Sequence, residues 1–118
     1  PLQITWRDIP QSDAVEQDIR SKVEKLEHFF DKIISCRVLV ESSHRRHHKG
    51  NLYRIRIEIE VPEHQIVVTR DPDQNHAHED IYVTVRDAFD AARRQLQDYV
   101  SQRRGKVKHH DRPPLAEE

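Results

Sequence analysis

Basic side chains recur at helical spacing in two separate stretches of this chain. Residues 79–104 repeat apolar side chains every three or four positions, which predicts an amphipathic helix. At about 100° per residue, a polar stripe runs beside its apolar face, formed by Arg86, Arg93, Gln97 and Arg104. The earlier stretch 13–31 carries Lys22 and Lys25 along one flank of its own apolar stripe, and Lys32 follows directly after it on the same flank. Cations held on rigid helices can bind phosphates and release their counterions. Two such helices side by side predict a groove with basic flanks for an anionic polymer.

Further basic residues lie in the polar loop that follows the second strand, elsewhere on the last helix, and directly after the predicted end of that helix. The candidate RNA-binding residues are Lys22, Lys25, Arg45, Arg46, Lys49, Arg86, Arg93, Arg94, Arg103, Arg104 and Lys106. The alternative interpretation is that these side chains are solvating charges paired with neighbouring carboxylates, because surface ion pairs are common and weak.

Overall charge and composition limit the classes of function. The 118 residues include 20 Lys and Arg against 21 Asp and Glu, so nucleic-acid binding requires a local basic surface rather than overall basicity. The length suits one folded domain. No apolar run approaches the ~18 residues of a membrane span, and no signal peptide is recognisable. A single cysteine, Cys36, excludes an internal disulfide, which suits a cytoplasmic protein. Because no apolar run is long enough to span a membrane, we expect no membrane partner.

The pattern of elements must bring the two basic helices together. Strands are predicted at 2–7, 34–41, 52–61 and 65–70, and helices at 13–31 and 79–104. In the third strand, isoleucines alternate with charged residues, so one sheet face is in water and both helices cover the other. The prediction is an α+β two-layer sandwich of order β-α-β-β-β-α, with a four-stranded mixed sheet and two helices on one face. The first two strands should run parallel. Residues 1–104 form the domain, and we expect 105–118 to be a disordered tail.

Catalytic and metal sites are poorly supported by the sequence. His44, His47 and His48 in the loop, with His76 and His78 before the last helix, have spacings that could hold Zn²⁺ or Ni²⁺. The simpler interpretation is a polar, basic loop, and we predict neither a metal nor a cofactor. Cys36 shares a strand face with valines and is predicted to be a core residue. The chain has only two glycines and no phosphate-cradling loop, so we expect no enzyme activity and no small-molecule substrate.

Two sets of residues carry a resemblance to a known family. The first helix has the pattern K-x-x-K-L-E followed by two aromatic residues and Asp: Lys22, Lys25, Leu26, Glu27, Phe29, Phe30 and Asp31. The last helix has a D-x-Y opening and an R-Q-L segment: Asp80, Tyr82, Asp90, Arg94, Gln95 and Leu96. In this order of elements, the motifs resemble the ribosome hibernation-promoting factors and ribosome-associated inhibitors, or sigma-factor modulation proteins, over about residues 2–104.

The resemblance implies a non-catalytic factor that binds the small ribosomal subunit in the channel used by mRNA and tRNA. Such binding would block translation or promote hibernation under stress. Basic residues of both helices contact ribosomal RNA in that family; the matched residues here are Lys22, Lys25 and Arg94, while Arg86 and Arg93 are proposed from helix geometry. One departure is the stretch 97–102, which is almost without positive charge where the family commonly has a Lys- and His-rich turn.

Two other functions remain open at this stage. Helices over a small sheet can bind double-stranded RNA through its A-form shape, so a general duplex-binding module is one alternative. The histidine-containing loops suggest a metal-responsive or protein-interaction module as another.

Overall fold

Four strands and two helices follow one another in the predicted order β-α-β-β-β-α. The computed structural model describes residues 1–42, 53–71 and 80–111, with side chains as far as Gly105. The elements are β1 (Leu2–Arg7), α1 (Asp13–Phe29), β2 (Ser35–Ser42), β3 (Tyr53–Val61), β4 (His64–Arg70) and α2 (Ile81–Asp111). Their number, type and order confirm the predicted fold class.

All four strands form one sheet in the spatial order β1-β2-β3-β4. β1 and β2 run parallel, as predicted for strands joined through a helix, while the β2–β3 and β3–β4 pairs are antiparallel. The register places Ile4 beside Val38 and Val38 beside Ile57, so inward side chains form continuous rows across the sheet. The sheet is therefore mixed, as the sequence predicted.

The core lies between one face of the sheet and both helices. In β3, Ile55, Ile57 and Ile59 are completely buried, and burying each such side chain contributes roughly 1.5–3 kcal/mol. Apolar residues of the helices join the same cluster: Val15, Ile19, Val23 and Leu26 from α1, and Val85, Ala88, Phe89, Ala92, Leu96 and Val100 from α2. The two helices therefore cover the same face, which confirms the two-layer sandwich.

The end of α2 differs from the prediction. The helix was expected to end at Arg104, but it continues through Gly105 to Asp111. A glycine inside a helix costs only about 1 kcal/mol relative to alanine, and an established helix adds one hydrogen bond for each further residue. Residues 105–111 of the segment predicted as a tail are therefore helical, and 112–118 lie outside the described residues.

Candidate RNA-binding groove

The two helices face each other through Phe29 of α1 and Arg93 of α2. The guanidinium carbon of Arg93 lies 5.7 Å from the centroid of the Phe29 ring. Lys25 precedes Phe29 by about one helical turn and Lys22 by about two turns, so all three lie on one stripe of α1. Arg86 precedes Arg93 by two turns in the same way. These five residues define the helix groove: the structure shows the contact between Phe29 and Arg93, and helical spacing places Lys22, Lys25 and Arg86 on the same two stripes.

A hollow lies at one end of the groove, where α1 ends. Its volume is about 440 Å³, and its walls are His28, Phe29, Phe30, Asp31, Val100, Arg103 and Arg104. This groove-end hollow places Arg104, the last predicted arginine of the α2 stripe, beside the C-terminal end of α1. Arg93 and Arg104 of the predicted stripe therefore lie on the side of α2 that faces α1, whereas the guanidinium of Arg86 is hydrogen-bonded to Asp87.

The cations of the groove differ in how far their charge is neutralised. Lys22 Nζ lies 3.0 Å from Asp18 Oδ1, and Arg86 Nη2 lies 3.2 Å from Asp87 Oδ1. Within the described ranges, Lys25 and Arg93 make no ion pair, so their charges remain available to a ligand. Lys22 and Arg86 thus match the interpretation as surface ion pairs. Lys25 and Arg93 match the interpretation as residues that bind an anion.

Arg94 lies on the other flank of α2. It lines a separate hollow with residues of β4, including Val68 and Arg70, and with Asp87 of α2. Arg70 Nη2 lies 3.3 Å from Asp87 Oδ2, so β4 and α2 are linked at this place. Adjacent residues of a helix are about 100° apart, which explains why Arg93 and Arg94 face opposite flanks. The structure therefore separates Arg94 from Lys22 and Lys25, the other residues matched through the resemblance.

Arg103 is partly buried and engaged with aromatic residues. Its Nη1 donates a 2.9 Å hydrogen bond to the Tyr99 hydroxyl oxygen, and its guanidinium carbon lies 5.9 Å from the Phe30 ring centroid. Arg103 thus lines the groove-end hollow but is held by Tyr99 and Phe30.

The open face of the sheet carries an ion-pair network that the sequence analysis did not identify. One part joins Arg7, Glu41, Arg54 and Asp71, and the other joins Arg37, Glu58 and Arg56. The hydrogen bond from Arg56, together with the charge of Arg37, lowers the pKa of Glu58. In the register of β2 and β3, Arg37 lies beside Glu58 and Glu41 beside Arg54, so opposite charges face each other across the two strands. That signal could have revealed the network once the strand register was known. These ion pairs explain why this face of the sheet can remain exposed to water.

Cys36 is a core residue, as predicted. Its side chain is buried, and desolvation followed by the charge of Glu27 raises its pKa to about 11. Since the thiolate is the reactive form, this thiol is a poor nucleophile near neutral pH.

Comparisons with known proteins establish the family. The family model described as sigma 54 modulation protein / S30EA ribosomal protein matches residues 2–104. The chain belongs to this family. The match confirms the resemblance recognised in the two helix motifs. No protein with a curated description matches the chain significantly in sequence.

Solved structures support the fold of this family member. The crystal structure of the Thermus thermophilus protein Y N-terminal domain is similar with a TM-score of 0.65 and 18% identity, covering 82% of this chain and 94% of that one. A ribosomal subunit interface protein from Coxiella burnetii is similar with a TM-score of 0.64 and 16% identity, covering 84% and 98%. At such low identity these likenesses show the shared architecture alone.

Some predicted residues lie outside the described part of the family member. These are Arg45, Arg46 and Lys49, the five loop histidines and the side chain of Lys106. Their roles in RNA or metal binding stay predictions. In residues 1–42, 53–71 and 80–105, no group of three or more His, Cys, Asp or Glu side chains is placed to hold a metal ion. No helix in the described ranges is long and apolar enough to cross a membrane.

Proposed function

We propose that this chain is a non-catalytic factor that binds the small ribosomal subunit through the helix groove. The observation that carries the proposal is the contact of Arg93 with Phe29, because it joins one residue from the cationic stripe of α2 to the stripe of α1 that also holds Lys25. Membership of a family named for a ribosomal protein supports the choice of partner. The Coxiella burnetii neighbour, a ribosomal subunit interface protein, supports it as well.

Ribosomal RNA is the component of the subunit that this groove fits best. Lys25 and Arg93 are exposed cations on rigid helices, and they are positioned before any ligand arrives. The formal net charge of the whole chain is −1, so the attraction must be local. Binding by phosphate contacts is then strongly dependent on salt, since each contact releases counterions.

Occupation of the subunit by such a factor would inhibit translation or promote hibernation under stress. This consequence requires that the groove bind where mRNA or tRNA would otherwise lie. It is tested by adding the protein to a cell-free translation reaction, in which it should lower product yield in proportion to subunit occupancy.

The direct test is co-sedimentation with purified small subunits on sucrose gradients at low salt. The Lys25→Glu/Arg93→Glu variant should lose binding. The control Arg20→Glu/Arg37→Glu makes the same change in charge on the far flank of α1 and on the open sheet face, and should still bind. Sedimentation of the groove variant with subunits at the wild-type level would reject the groove as the binding surface.

A general duplex-binding module is the competing function. A short RNA duplex added in excess should leave co-sedimentation largely intact if the subunit is the specific target. Equal affinity for duplex and subunit would favour the general module instead.

A further inference from the structure

The ring of Phe29 is exposed and lies outside the core, with the guanidinium of Arg93 near it. Its relative exposure is 38%, although it is a large apolar side chain at the last residue of α1. It does not belong to the core cluster or to the partly buried residues packed against that cluster. Scattered apolar side chains are normal on surfaces. This one, however, borders a hollow whose other walls include the charged residues Asp31, Arg103 and Arg104.

The neighbouring Phe30 has a different role. It packs against the core, and its ring meets Tyr99 edge to face at a centroid distance of 5.6 Å and an angle of 79°. Arg103 lies near the Phe30 ring and is held by the Tyr99 hydroxyl. One ring of the aromatic pair therefore closes the fold, while the other faces the groove.

The groove-end hollow combines three kinds of group that together suit an RNA base. Phe29 supplies an aromatic face, on which unpaired bases stack. Arg104 in the wall of the hollow, and Arg93 over the Phe29 ring that borders it, supply guanidinium groups, which stack on bases and bind the adjoining phosphate. The exposed carboxylate of Asp31 can accept hydrogen bonds from the imino or amino groups at a base edge.

We infer that the groove-end hollow binds one unpaired RNA base, stacked on the ring of Phe29. This inference rests on the proposed function, since it requires RNA in the helix groove, and it adds which part of the RNA is recognised. A base within a duplex is already stacked on both neighbours and cannot enter the hollow. The site therefore favours a single-stranded segment or a bulged nucleotide over a continuous duplex.

The test compares wild type with Phe29→Leu, which keeps apolar bulk and removes the aromatic face. The probes are fluorescein-labelled oligoadenylate and the duplex of oligoadenylate with oligouridylate. Stacking on one aromatic side chain should make the wild type bind the single strand at least about fivefold more tightly than the variant. The slope of log affinity against log salt should not change, because no phosphate contact is lost. Affinity for the duplex should be the same for both proteins.

Two outcomes would overturn the inference. One is equal affinity of wild type and Phe29→Leu for oligoadenylate, and the other is wild-type binding to the duplex that is as tight as to the single strand. Neither of these outcomes depends on the ribosome. The proposed function has its own test, and it fails if wild type does not co-sediment with small subunits. If wild type co-sediments but Phe29→Leu has unchanged affinity for oligoadenylate, only the inference fails.

A spectroscopic measurement distinguishes stacking from attraction to phosphate. Phe29→Trp places an indole at the hollow. Wild type contains Trp6 as its single tryptophan, so its fluorescence gives the background signal. Oligoadenylate should quench the added fluorescence, whereas inorganic phosphate should not. Absence of quenching, or equal quenching by phosphate, would overturn base stacking. Both substitutions should preserve the melting temperature, since Phe29 lies outside the core.

Discussion

The hydroxyl of Tyr99 donates a 2.7 Å hydrogen bond to the carbonyl oxygen of Pro62. Pro62 begins the turn between β3 and β4, and Tyr99 lies on α2, so this bond joins the helix to the end of the β3–β4 hairpin. The same hydroxyl accepts the hydrogen bond from Arg103, and the ring of His64 stacks on Tyr99 at a centroid distance of 5.8 Å. Tyr99 thus fixes the distal part of α2 next to the groove-end hollow.

Replacing Tyr99 with Phe should destabilise the fold by about 1–2 kcal/mol, because the Pro62 carbonyl and the Arg103 guanidinium both lose a partner. The measurement is the free energy of unfolding in urea. Tyr82→Phe is the matched control, since Tyr82 is 42% exposed and its hydroxyl has no hydrogen bond within the described ranges. Equal stability of the two variants would show that the Pro62 bond contributes nothing measurable.

Arg93 and Arg94 are adjacent in sequence but should contribute differently to RNA binding. Arg93→Gln should lower affinity for small subunits and reduce the magnitude of the salt slope by roughly 0.7–0.9, the effect of one phosphate contact. Arg94→Gln should leave the slope unchanged, because Arg94 lies on the flank of α2 that faces β4. The slopes come from binding titrations over a range of salt concentrations. A larger effect at Arg94 would place RNA on that other flank.

The fold was predictable where periodicity alone decides which side chains are buried. The isoleucines of β3 alternate strictly, and the apolar residues of α1 and α2 repeat at helical spacing, so the sheet face and both helix faces followed directly. The end of α2 was misjudged, because a glycine after a basic cluster is a common helix stop, yet it also costs little inside a helix.

The site was less predictable because it depends on how the elements pack together. Sequence spacing gives the angle of Arg93 and of Arg94 about the axis of α2, but the direction of α1 from that axis decides which one faces the groove. The exposure of Phe29 was hidden for a similar reason. α1 ends between two aromatic residues, and the extended backbone at Phe30 turns only the second ring towards the core.

Glu58 should make stability depend on acidic pH. Its folded-state pKa is lowered by Arg56 and Arg37, so its contribution is complete above the pKa of the unfolded chain, about 4.3. That contribution is lost as pH falls through the lower folded-state value. The free energy of unfolding of Glu58→Gln should therefore fall less steeply below pH ~4.3 than that of wild type. Parallel pH curves for the two proteins would contradict the assignment.

Cys36 should make stability fall as pH rises into the alkaline range, the opposite direction to Glu58. Its folded-state pKa is raised to about 11, so the folded state holds the proton more tightly than the unfolded chain does. Its contribution to stability is complete below the unfolded value, about 8.5, and is lost as pH rises towards the folded value. Compared with Cys36→Ala, wild type should lose stability more steeply over that interval. A thiol reagent should label native Cys36 slowly and denatured Cys36 fast; fast native labelling would contradict its burial.

Gly105 offers a test of the extension of α2 beyond the predicted end. Apart from the adjacent residues and the nearby backbone of α2 itself, no atom of the described residues lies within 4 Å of the position that a Cβ would occupy there, so alanine meets no steric obstacle among them. Gly105→Ala should favour the helical state by roughly 0.5–1 kcal/mol, since glycine loses more backbone freedom in a helix than alanine does. Far-ultraviolet circular dichroism should show increased helicity. Gln102→Ala is the control. Glutamine and alanine are both good helix formers, so this substitution should hardly change the circular dichroism signal. Reduced helicity in Gly105→Ala would mean that the helix ends before residue 105.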